Sequence, residues 1–158
     1  MKNRFINAIC VCLMLSSIAA QGQTQDIPVN EPNLNKPLLF SNLPDTIPVK
    51  IDNLKALLYA SQGTVVDVNM SDNVGFQFKG EISSVNTENR DSQQTFILRS
   101  SNYPGATLTF SKLINKSDNS FSLAGRIISL QHGDLFELVN VSGQYNLIKR
   151  KFYDLINE

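Results

Sequence analysis

Tryptophan is missing altogether, histidine occurs once, at His132, and the only two cysteines, Cys10 and Cys12, lie in one apolar run near the first methionine. A tetrahedral zinc site draws three or four ligands, mostly Cys and His, so one histidine leaves no ordinary set. No HExxH, Gly-rich phosphate loop or GxSxG elbow occurs, which removes the common metallopeptidase, nucleotide and hydrolase signatures. Without indole rings to stack on sugars, a glycosidase pair of carboxylates also lacks its usual platforms. Glu81 and Glu137, the glutamates falling within predicted strands, are read as facing solvent. No cofactor and no metal are expected.

Charge of one sign is lacking as well. The full chain has 14 Lys and Arg against 14 Asp and Glu. Nucleic-acid binding rests on a basic patch, and nothing here supplies one. The one basic run, Lys149-Arg150-Lys151, is short and reads as a solvated strand end beside Phe152 and Tyr153.

What is present begins with Lys2 and Arg4, an apolar run from Phe5 to Leu15, and the small residues Ser16, Ser17, Ala19 and Ala20. That order is the pattern of a secretory signal peptide, expected over residues 1–22. A spanning helix needs about 20 apolar residues, more than this run offers, and no later stretch comes closer. The expected product is extracytoplasmic, periplasmic or secreted, without a transmembrane segment. Cys10 and Cys12 leave with the leader, so an apolar core must hold the fold without disulfides. Removing Lys2 and Arg4 takes the 14 basic residues to 12 against 14 acidic ones. Roughly 135 residues remain, enough for one domain with a proper core.

Residues 23–48 form a Pro/Asn-rich arm, with Pro28, Pro32, Pro37, Pro44 and Pro48 too frequent for a helix or a central strand. Leu38, Leu39, Phe40 and Leu43 break its polarity and suggest that part of it lies across the domain. A helix follows, with Asp52 as N-cap, Leu54, Leu57 and Leu58 as a stripe at helical spacing, and Gly63 as the stop.

From Thr64 onward, period-two runs alternate with turn chemistry. Phe76 and Phe78, Phe96 and Leu98, Leu108 and Phe110, and Phe121 and Leu123 mark buried faces. Asn86 to Gln94 reads as a loop, Gly125 as a bulge, and Asn140 to Gly143 as a hairpin loop with late glycine. The expected class is α+β, mainly antiparallel β: a curved meander of six to seven strands over residues 49–158, packed on one helix that precedes them.

Two places invite chemistry. His132 and Asp134, in the turn Gln131-His132-Gly133-Asp134, are the weak catalytic candidates: with a serine from a nearby turn, such as Ser101, they would make base, orienter and nucleophile. The competing reading is a hairpin turn made by Gly133. Asp67 to Asp72 sets oxygen ligands at alternate positions like the start of a calcium loop, but Asp72 stands where that loop needs glycine and Phe78 where it needs glutamate.

The segment Ser120 to Lys151, SFSLAGRIISLQHGDLFELVNVSGQYNLIKRK, resembles a strand-rich stretch in the pro-regions of secreted reprolysin-type metallopeptidases. The resemblance implies a β module that sits against a peptidase, here without its enzyme and without the cysteine that would reach a catalytic zinc. The chain also looks like small secreted bacterial proteins. The expected function is therefore a non-enzymatic binding or interaction module, with an extracytoplasmic protein such as a peptidase as partner. The alternatives are a small hydrolase using His132 and a structural accessory protein of the cell envelope.

Overall fold

The computed structural model describes residues 35–88 and 92–155. The leader and residues 23–34 of the arm lie outside the described residues. Eight strands and one helix follow in the order β1 (Thr46–Pro48), α1 (Ile51–Leu57), β2 (Val65–Asn69), β3 (Gln77–Glu88), β4 (Gln93–Ser100), β5 (Thr107–Ile114), β6 (Phe121–Ile128), β7 (Asp134–Val141) and β8 (Gln144–Lys151), with a closing 3-10 turn at Phe152–Leu155.

All neighbouring strands are antiparallel. They form one curled sheet, a half-barrel, in the order β1-β8-β7-β6-β5-β4-β3-β2. The α+β class with a dominant antiparallel meander is therefore observed. The strand count of six to seven is corrected to eight, and the helix is not ahead of the strands. β1 comes first and pairs at the sheet edge, Thr46 with Ile148 and Pro48 with Asn146. An edge position is where proline, which lacks an N–H, is tolerated.

The expected loop at Asn86 to Gln94 is mostly ladder, with Asn86 opposite Thr95 and Glu88 opposite Gln93. Polar residues obscured it because consecutive Asn86 and Thr87, on opposite faces, are both exposed, so this strand end has no apolar face to show alternation. The bulge lies elsewhere than expected. β5 and β6 stay in register through Gly125, opposite Phe110, whereas Ile82 and Ser84 of β3 face consecutive residues of β4. The inserted Ser83 turns its hydroxyl to the Ile97 carbonyl at 3.2 Å. The last hairpin turns on Ser142 and Gly143, both with positive φ, the geometry that suits a two-residue hairpin loop.

The helix also departs from expectation at both ends. Lys50 is the N-cap, with no side-chain cap bond, while Asp52 lies in the first turn and pairs with Lys55 at 3.2 Å. The helix stops at Leu57, and Gly63 instead donates its N–H to Ile82 as the chain enters β2. Leu54 and Leu58 are buried as the stripe requires.

Helix α1 bridges the two edges of the sheet. It leaves β1 at one edge, and at the other the Lys50 N–H reaches Met70 O at 2.9 Å and Asn53 Nδ2 reaches Asn69 O at 2.8 Å. Lys50 and Asp72 form an ion pair across the same seam. The concave side is filled from within the chain. Phe40, Phe76, Phe78, Phe96, Phe110 and Phe136 are all fully buried, and Phe40 lies 5.0 Å from Phe136 and 5.5 Å from Tyr103 between ring centroids. Burial at this cluster pushes the Tyr103 phenol above its ordinary pKa, because the charged phenolate is poorly solvated there.

Candidate functional site

The turn carrying His132 and Asp134 joins β6 to β7, and the arm docks on it. Asp134 is 3% exposed. Its carboxylate oxygens accept the Leu39 N–H at 2.7 Å and the Phe40 N–H at 2.8 Å. Around it, Gly133 donates its N–H to Pro37 O at 2.9 Å, Phe152 donates to Gly133 O at 2.8 Å, and Lys36 Nζ donates to Leu130 O at 2.8 Å. Phe40, anchored at its amide, projects into the aromatic cluster. A buried carboxylate is tolerable only where such hydrogen bonds replace water, and here both oxygens have them.

This geometry separates the residues that hydrolysis would need together. His132 Nδ1 meets Ser129 Oγ at 2.8 Å, not Asp134, whose oxygens hold the arm. Ser129 is 1% exposed and also accepts the Gln131 N–H, so its hydroxyl caps the turn where an ester carbonyl has no approach. The turn containing Ser101 does adjoin this one, but through Gly105: a Cβ at Gly105 would stand 3.2 Å from Ser129 Oγ. Ser101 itself is exposed and donates its N–H to Lys79 O.

The other chemical candidates disperse in the same way. Asp67 pairs with Lys79 at 2.7 Å, Asn69 Oδ1 accepts the Ser71 N–H at 3.2 Å, and Asp72 pairs with Lys50. No cluster of metal-ligating residues occurs among the described residues, and no helix among them is long and apolar enough to cross a membrane. Of the basic run, Lys149 turns inward to Leu43 O and to Asp45 at 3.2 Å, while Arg150 lies 3.5 Å from Glu137.

The feature that stands out is an interruption in the sheet. β6 and β7 have eight residues each, yet they pair only from Arg126 opposite Glu137 to Ile128 opposite Leu135. Beyond that point β6 stays with β5 and β7 stays with β8, so the two hairpins part. Gly125 stands at the point of parting. A Cβ there would lie 3.3 Å from Leu138 Cβ and 3.4 Å from the Phe110 ring, and the missing side chain lets Leu138 pack into the gap.

Residues Phe121–Gly125 of β6 and Leu138–Val141 of β7 thus turn unpaired backbone toward each other. A surface hollow of about 400 Å³ opens beside Ser111, Ala124, Gly125 and Leu138, and a second of about 390 Å³ lies at Leu113, Phe121 and Ser122. Phe121 and Val141 are 50% and 51% exposed. Strand edges ordinarily carry cover or charge because they template pairing with other chains. Alternation in the sequence shows which residues face inward, but not which strands pair along their whole length, so of this opening the sequence showed only the irregularity at Gly125.

No protein family, curated protein or solved structure matches the chain.

Proposed function

We propose that the chain is an extracytoplasmic, non-enzymatic interaction module that receives an extended segment of a protein partner along the open edge of β6. The observation that carries this reading is the pairing of only three residues between β6 and β7, in a domain whose concave side is filled by its own side chains. A packed interior leaves recognition to the surface. An unpaired edge offers a row of N–H and C=O groups that another strand satisfies, with hollows for alternate side chains supplying selectivity.

The leader-like start supports an extracytoplasmic setting. The stretch that resembles peptidase pro-regions, residues 120–151, covers β6, β7 and β8 and so contains the open edge. That favours a peptidase as the partner. A hydrolytic role for His132 has less support, because the hydroxyl beside it is buried and the nearby carboxylate is taken up by the arm.

A photo-crosslinking residue placed at Ser122 or Val141 in producing cells should give discrete protein adducts, and the same residue at exposed Gln62, away from the opening, should give none. Absence of adducts from both edge positions contradicts the reading.

A further inference from the structure

We infer that the segment received along β6 is acidic. This rests on the proposed strand acceptance and adds the chemistry of the partner. At the outer end of the unpaired stretch, the half-exposed Phe121 ring has two ammonium groups over it. Lys55 Nζ from α1 and Lys112 Nζ from β5 each lie 5.5 Å from its centroid. Lys112 stands opposite Leu123, and Ile114 opposite Phe121, so Lys112, Phe121 and Leu123 share one face of the sheet.

The ring face attracts each cation, but two like charges converging on one ring repel each other, and an intervening carboxylate turns that repulsion into two attractions. Arg126 and Arg150 share the Glu137 carboxylate at 3.1 and 3.5 Å, but Arg126, five residues from Phe121 along β6, lies on the opposite face of the sheet and plays no part in this cluster. On the face of Phe121, then, Lys55 and Lys112 stand against one carboxylate, Asp52, held by Lys55. The turn before β6 carries Lys116 and Asp118, whose charges offset. The Asp118 carboxyl, held below its ordinary range by the Ser120 hydroxyl and N–H, is committed within that turn.

An added strand places every second side chain on the face of Phe121 and Lys112. Its backbone bonds are indifferent to sequence, so its charge is what this edge selects. The fitting occupant is an extended segment with Asp or Glu at alternate positions.

The test titrates the full chain with a fluorescent alternating Glu-Thr peptide and with an alternating Lys-Thr peptide. The Glu-Thr peptide should bind, should weaken as salt rises, and should slow amide exchange within Phe121–Gly125, while the Lys-Thr peptide should not bind. Lys55→Glu and Lys112→Glu should each weaken binding of the Glu-Thr peptide by roughly tenfold without changing thermal stability appreciably, since both side chains are at the surface. Equal binding of the two peptides, insensitivity to both charge reversals, or no binding of either peptide would overturn the inference. Adducts from Ser122 in cells under any of those outcomes would keep strand acceptance and discard only the acidic partner, whereas loss of the adducts removes both.

Discussion

Replacing Phe40 with alanine should destabilise the fold by roughly 4 kcal/mol, which lowers the melting temperature by about 15 °C for a domain of this size. The residue belongs to the arm, yet its side chain is 1% exposed and lies against Phe76, Tyr103 and Phe136. Truncation removes a large apolar surface and leaves a cavity walled by β-sheet, which relaxes poorly. Against a total stability of roughly 5–15 kcal/mol, that loss threatens folding itself. Leu38, two residues earlier and 57% exposed, should tolerate the same change within about 0.5 kcal/mol. Thermal or urea unfolding of both variants checks the contrast; equal, small effects would mean that the arm is not part of the core.

The second large effect is expected at Asp134. Alanine there strands the Leu39 and Phe40 N–H groups, which donate to its two oxygens at 2.7 and 2.8 Å, at a cost of roughly 3 kcal/mol or more for hydrogen bonds to a charged group. Asparagine has nearly the same shape but offers one acceptor and a donating amide, so it should recover only part of the loss, leaving about 2 kcal/mol. His132→Ala, which removes the contact to Ser129 at 2.8 Å, should be milder, about 1 kcal/mol. The order alanine at 134, asparagine at 134, alanine at 132, read from unfolding midpoints, is the signature of a carboxylate that holds backbone. A catalytic Asp134 would instead show its effect in turnover with stability unchanged.

The long strands were legible because each buries one face: Phe96 and Leu98, or Leu108 and Phe110, alternate with polar residues, and a slip of one residue would invert them. β1 was not legible. Its three residues, Thr46–Pro48, are too few to carry periodicity, and their partner, β8, lies at the other end of the chain. The role of Asp134 was hidden for a related reason. Its partners are backbone N–H groups of the arm, which any residue but proline provides, so nothing in the residue types of Leu39 and Phe40 announces them. The grouping of Lys55, Lys112 and Phe121 joins three elements distant in sequence, and alternation within any one of them is silent about the others. Gly125 did carry a signal. Its interruption of β6 marks a local irregularity, but the cause is room for Leu138 and Phe110, not an extra residue in the ladder.

Residues 36–43 are thus integral to the domain, fixed by the buried Asp134 carboxylate in the turn that the sequence offered only as a weak catalytic candidate. Amide hydrogen exchange at Leu39 and Phe40, resolved by NMR, measures that fixation directly. Exchange as slow as in the central strands, and faster in the Asp134→Ala variant than in the unaltered protein, is the predicted result. Exchange at the rate of an open chain, in the unaltered protein, would contradict it.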